Sequence, residues 1–244
     1  AGERSKIYTE AGDISAVTFF NAMAPEVFIL LLHIILQASE NCTVLSLGIH
    51  DDWAFEWHLQ NLKQNMCSIV AVDMVMIEKM DDFRHGDCVQ IQQQQTTIDR
   101  FNKMGARVMK ATVRNQTNSA KEEISIADLA KDAGWIQNVS PGSNVVNRVE
   151  FLKIDIEGSE YSALPPALQV VTFCQILIEL HGSLSSQRDM LKLLSAAGYR
   201  LFHYETNPHG AKFTANEFSL LHDSCLDKYG ARRLAVFLAR SDGA

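Results

Sequence analysis

Residue types that could do chemistry concentrate in Phe151–Glu160, which reads Phe-Leu-Lys-Ile-Asp-Ile-Glu-Gly-Ser-Glu. A short apolar run rich in strand formers stops at Asp155, and Glu157, Gly158 and Glu160 follow. Ligands of open α/β sheets sit beyond the carboxyl ends of the strands. A strand that ends in an acid and turns at a glycine is therefore a candidate site wall. The plain alternative is that Asp155 and Glu157 cap the next short helix. A second apolar run, Cys174–Leu180, is closed by Glu179 and His181. A histidine beside carboxylates can act as a general base toward a hydroxyl. The same atoms could hold a divalent metal, although no metal site is assigned. Against both stands a turn histidine bonded to backbone.

Two further strand ends bear on a cofactor. Ser68–Val72 is apolar and ends at Asp73, where a carboxylate can accept from both hydroxyls of a ribose, or simply sit in a turn. The preceding strand, Thr43–Gly48, opens into Gly48-Ile49-His50-Asp51-Asp52. A dinucleotide site wants Gly-x-Gly-x-x-Gly so that backbone can approach a pyrophosphate. Here a single glycine is followed by two acids, which would repel phosphate. They suit S-adenosylmethionine, which carries a sulfonium and an amino group. As helix N-caps, Asp51 and Asp52 are equally natural. A nucleophile elbow, Gly-x-Ser-x-Gly, is missing from the sequence, which argues against a hydrolase.

The elements that must position these residues follow a strand–helix–strand rhythm. After Thr43–Gly48, Phe55, Leu59 and Leu62 lie on one helical face. Residues 77–83 are expected to be helical, followed by a polar excursion over 84–105 that includes Gln92–Gln95 and a helix over 97–104. Ala106–Val113 reads as a third strand, Arg114–Glu123 as a polar loop and Ile124–Ala133 as a helix stopped by Gly134. Val149–Asp155 is the fourth strand. A helix over Ser159–Leu168 is broken or started by Pro165-Pro166. Cys174–Leu180 is the fifth strand. Ser185 or Ser186 caps a helix running through Ala197, with Gly198 ending it. Tyr199–Glu205 is a sixth strand and Arg232–Ala239 the last. The pattern argues for a mostly parallel α/β sheet with helices on both faces.

The totals agree with one such domain. The chain has 244 residues, 47% hydrophobic and 21% charged, with a net charge of −7 and no basic stripe, which disfavours nucleic acid as a partner. The division expected is an N-terminal helical extension over 1–40 packed on a domain over 41–244. Residues 1–20 read as an extension or a short helix, and Pro25 and Glu26 suit the start of a helix to Ser39. Its apolar part, Val27–Leu36, is short for a membrane span and starts late, after several acids, for a signal peptide. The five cysteines, Cys42, Cys67, Cys88, Cys174 and Cys225, form no Cys-x-x-Cys, and Cys174 reads as a buried small hydrophobe. Asn41, Asn115 and Asn138 each head an Asn-x-Ser/Thr triplet, which leaves a secretory location open beside a cytoplasmic one.

With these motifs in order, the chain resembles the FkbM-type methyltransferases, which use S-adenosylmethionine. Within them it is most similar to the methyltransferase-like protein 24 group. The strongest likeness is Leu152-Lys153-Ile154-Asp155-Ile156-Glu157-Gly158-Ser159-Glu160. Ser46-Leu47-Gly48-Ile49-His50-Asp51-Asp52-Trp53-Ala54-Phe55-Glu56, Gln175 through His181, and Leu201-Phe202-His203-Tyr204 with Asn207-Pro208 add to it. The resemblance implies a Rossmann-like class I methyltransferase fold, with seven strands and an antiparallel last one. It implies cofactor contacts at Gly48, His50, Asp52, Asp73 and Asp155, and chemistry at Asp155, Glu179 and His181. Met74, where the family usually has proline, and the long polar 84–105 stretch depart from its pattern. The expected activity is O-methylation of a small hydroxylated or sugar-like acceptor. The alternatives are a non-catalytic binding protein that keeps the fold and an NAD-linked oxidoreductase.

Overall fold

The computed structural model describes residues 7–9, 12–14, 42–49, 54–62, 67–74, 101, 103, 105–137, 146–206 and 214–232. The first strands, β1 (Ile7–Thr9) and β2 (Gly12–Ile14), pair as an antiparallel hairpin where an extension or short helix is expected. The expected helices over 25–39 and 77–83 lie outside the described residues, as does most of 97–104, where Phe101 and Lys103 are helical.

The central sheet is built from β3 (Cys42–Leu47), β4 (Cys67–Asp73), β5 (Arg107–Lys110), β8 (Arg148–Ile154), β9 (Thr172–His181), β10 (Tyr199–Thr206) and β11 (Ala215–His222). Its order is β10-β11-β9-β8-β3-β4-β5. Every pairing from β5 to β9 is parallel, and β11 runs antiparallel to both β9 and β10. Numbered by chain order within the sheet, this is 3-2-1-4-5-7-6, the class I methyltransferase arrangement.

The strands are apolar on both sides because both faces are covered. On β3, Leu45 and Leu47 join one core cluster, while Cys42 and Val44 join the other. Helices α2 (Ile126–Asp132), α3 (Glu160–Ala167) and α4 (Leu184–Ala196) close the first face through Leu129, Leu164, Met190 and Leu194. Helix α1 (Ala54–Leu62) closes the second with Phe55 and Leu59, joined by Phe101.

Several expectations are corrected. The sheet's seventh strand among the described residues is Ala215–His222, which is not expected from the sequence; Arg232 is outside any strand, and the rest of the expected Arg232–Ala239 strand lies outside the described residues. The third strand stops at Lys110, and the chain resumes as β6 (Thr112–Arg114), which pairs with β7 (Glu123–Ser125) in a separate two-stranded sheet. Consequently α2 begins at Ile126, capped by Ser125, whose hydroxyl accepts from the Asp128 amide. Helix α4 is capped by Ser183 rather than Ser185 or Ser186: its hydroxyl accepts from the Ser186 amide at 3.2 Å. Pro165 and Pro166 neither start nor break α3. They sit in its last turn, so the two bonds they cannot donate are lost only at the end of the helix.

The cysteine reading also changes. Cys42 and Cys67 are direct partners across β3 and β4 and form a disulfide. Cys174, expected to be a plain core residue, is bonded to Cys225 in the turn after β11.

Candidate functional site

The carboxyl ends of β3, β4, β8 and β9 meet at one edge of the sheet. Gly48 follows β3 with φ +76°, and its N–H donates to Val72 O at 2.9 Å. The Asp155 N–H donates to Leu47 O at 2.9 Å, which brings the chain after β8 directly against Gly48. A Cβ at Gly48 would lie 1.6 Å from the Asp155 carbonyl oxygen. No side chain fits here, and the Lys153 ammonium donates to Gly48 O at 3.1 Å on the same strand end. Asp73 closes β4, 6% exposed, opposite Lys110 of β5. His50 and Asp52 lie outside the described residues. Behind the first loop, Glu56 of α1 is fully buried and accepts from the Ser46 hydroxyl.

Asp155 stands just beyond β8. Its Oδ1 is buried and has no hydrogen-bond partner among the described residues. Burial, followed by the negative charge of Glu179, pushes its carboxyl up to about 6, against the opposing charges of Lys153 and His181. The chain then turns sharply, with Glu157 at φ +54° and Gly158 at φ +95°. Glu160, the first residue of α3, is 0% exposed. Its Oε1 accepts from the Ile156 N–H at 2.9 Å and from His181 Nδ1 at 3.2 Å.

That contact orients the imidazole. With Nδ1 held by Glu160, Nε2 of His181 faces Glu157 at 3.5 Å, Asp155 at 3.8 Å and Glu179 at 3.9 Å. The Glu160 hydrogen bond raises the His181 pKa to about 9, helped by the charges of Glu160, Glu179 and Asp155 and opposed by burial. His181 is thus an imidazolium at neutral pH. In this state neither ring nitrogen has a free lone pair. Asp155, Glu157 and His181 also offer three ligand atoms within 4.8 Å of one another, a mixed oxygen and nitrogen set that could hold a divalent cation. Acids converge in this way around a protonated histidine as well, so no metal is assigned.

A feature that sequence reasoning missed extends from this point. Glu179 on β9 is the direct register partner of Glu217 on β11, and Glu217 is the partner of Glu205 on β10. The β8–β9 register, with Ile154 opposite Ile178, places Asp155 next in line. Four carboxyl groups therefore form a row across four strands. Like charges placed opposite one another are unfavourable. Burial, then the charges of Glu179, Glu205 and Asp155, pushes the Glu217 carboxyl up to about 8, so it carries a proton at neutral pH. Its Oε2 is buried without a partner among the described residues. The available signal was a lone acid inside Ala-Asn-Glu-Phe-Ser-Leu-Leu-His, uninterpretable until that segment is known to be a strand.

Residues 136–201 match the family model of the methyltransferase FkbM domain. The match spans β8, the Asp155–Glu160 turn, α3, β9 and α4. No curated protein matches the chain. Among solved structures, it is similar to the N-terminal domain of EvdMO1 with SAH bound, at TM-score 0.45 and 10% identity over 82% of this chain and 81% of that one. It is also similar to precorrin-6y C5,15-methyltransferase from Geobacter metallireducens GS-15, at TM-score 0.43 and 11% identity over 81% and 88%. A third is the Methanococcus jannaschii fibrillarin pre-rRNA processing protein, at 0.44 and 10% over 76% and 68%. Among the described residues, no helix is long and apolar enough to cross a membrane.

Proposed function

We propose that the chain is an S-adenosylmethionine-dependent methyltransferase acting on a hydroxyl oxygen of a small, polyhydroxylated, sugar-like acceptor. The carboxyl row Asp155–Glu179–Glu217–Glu205 carries this reading, because it leads away from the cofactor side of the sheet edge. Carboxylates accept hydrogen bonds from hydroxyls, and the protonated Glu217 can donate one. A row of such groups suits neighbouring hydroxyls of one ring. The FkbM match, which covers Asp155 and Glu179, supports the methyl-transfer part of it, as does the motif likeness to the methyltransferase-like protein 24 group.

The residues present fit the cofactor. Gly48, lacking a side chain, lets the loop after the first strand close directly against Asp155. Asp73 is a buried carboxylate at the second strand's end, where a ribose would bind. Asp155 Oδ1, buried and without a hydrogen bond among the described residues, supplies negative charge beside both. When bound, S-adenosylmethionine supplies an electrophilic methyl on a positive sulfonium.

The chain's own work is positioning and proton transfer. Glu179 and Glu217 hold the acceptor's hydroxyls, fixing the reacting oxygen near Asp155. As the acceptor oxygen took the methyl that S-adenosylmethionine would supply, Asp155 would take the hydroxyl proton. An acid with a pKa near 6 is mostly ionised at neutral pH yet basic enough to take that proton. The His181 imidazolium, locked by Glu160, holds Asp155, Glu157 and Glu179 together without itself taking a proton.

Calorimetry with S-adenosylmethionine tests the cofactor, and transfer of a labelled methyl to a panel of sugars tests the acceptor. No heat at millimolar cofactor would sink the reading. Cofactor binding with label on amines or nucleic acid, and none on hydroxyls, would overturn the acceptor alone.

A further inference from the structure

Both disulfides join residues that are distant in sequence, with separations of 25 and 51, and all four cysteines are buried. Buried sulfurs are out of reach of thiol-exchange partners, so these bonds are structural and not catalytic. Structural disulfides form and persist in oxidising compartments. Each pair gives up two protons and two electrons as its bond forms, which a disulfide-exchange catalyst of such a compartment accepts.

Asn-x-Ser/Thr triplets gain meaning only in that setting. Asn41 and Asn138 lie outside the described residues, but Asn115-Gln116-Thr117 is described and all three residues are exposed. The triplet sits in the bend that leaves β6, outside any strand or helix. In the folded chain the Thr117 hydroxyl is bonded to Asp128 and accepts from the Ser125 N–H at 3.0 Å. The triplet is thus free to be used before this excursion folds, and the Asn115 side chain remains in solvent afterwards.

We propose that this chain folds in an oxidising secretory compartment and carries an N-linked glycan on Asn115. The amide nitrogen of Asn115 attacks the anomeric carbon of a lipid-pyrophosphate-linked oligosaccharide. The new N–C bond replaces the C–O bond to the pyrophosphate, which leaves with the electron pair, and the amide proton is lost to solvent.

The test uses the full chain directed into the secretory pathway of a glycosylating host. Enzymatic removal of N-glycans in ¹⁸O water should convert Asn115 to a labelled aspartate in its peptide, read by mass spectrometry. Asn115→Gln and Thr117→Ala should each lose one glycan step in gel mobility. Thr117→Ser, which keeps both the acceptor signal and the hydroxyl used in the fold, should retain it. Alkylation of the denatured, unreduced chain should label Cys88 alone, and all five cysteines only after reduction. An unlabelled Asn115, or modification confined to Asn41 or Asn138, overturns the glycan assignment. Alkylation of all five cysteines without reduction overturns the compartment.

Discussion

Gly48 and Asp155 are packed backbone to backbone: a Cβ on Gly48 would meet the Asp155 carbonyl oxygen at 1.6 Å. The first strand's loop and the fourth strand's acid are therefore one unit, although more than a hundred residues of chain lie between them. Any side chain at Gly48 must push Asp155 away and also adopt φ +76°. Gly48→Ala should cost about 2 kcal/mol or more, since a left-handed non-glycine residue alone costs roughly 1–2 kcal/mol. Urea unfolding measures this, and cofactor affinity should fall with it. Unchanged stability would show that the loop adapts and the two residues are not coupled.

Asp155→Asn separates chemistry from stability. The carboxyl is raised from its usual value near 3.8 to about 6, so ionising it costs folding stability. The native state keeps its proton longer than the unfolded chain, and stability falls as pH rises from about 4 to 6. The amide removes that cost and should make the protein more stable at pH 7. Loss of the base should slow turnover by roughly 10²–10⁴, and loss of its negative charge should weaken cofactor binding as well. A variant that is both active and less stable would contradict the assignment. In the native enzyme, turnover should rise with pH through about 6.

His181 has the opposite sign. Its pKa is raised from near 6.5 to about 9, so its stabilising contribution is complete below about 6.5 and is lost as pH rises through 9. Glu160→Gln removes the charged acceptor at Nδ1 and should move the His181 titration down from about 9, visible in the imidazole NMR signals. An unshifted titration would mean that Glu160 does not control the imidazole.

Glu217→Gln should flatten part of the pH dependence of stability. With its carboxyl raised from near 4.5 to about 8, native Glu217 loses stability as pH rises through that window. The glutamine variant lacks the loss and should be the more stable protein at pH 8. The acceptor KM should rise, because a hydroxyl partner in the row has changed. Cofactor affinity should not.

Reduction should weaken the fold through both disulfides. Removing a native disulfide typically costs about 2–5 kcal/mol. Melting with and without reductant, on the paired variants Cys42→Ser/Cys67→Ser and Cys174→Ser/Cys225→Ser, assigns the loss to each bond. Paired variants that melt at the same temperature as the native chain would contradict both.

The sequence by itself determined the strands that end in acids. Apolar runs closed by Gly48, Asp73, Asp155 and Glu179 are local patterns, and the ladders of β3, β4, β8 and β9 follow them closely. The alternating strands and helices determined the sheet's class for the same reason. The tertiary structure alone decided the seventh strand, because Asn216, Glu217 and Ser219 make Ala215–His222 look like a loop. Burial of these polar groups rests on partners brought from elsewhere, such as Gln187 of α4, which accepts from Asn216 at 2.7 Å. Cysteine pairing was equally hidden, since it depends on strand register and not on spacing. The charge of His181 could not be read from a histidine next to acids. It follows from Glu160, in direct contact but 21 residues away in sequence, holding Nδ1 while three other carboxylates face Nε2.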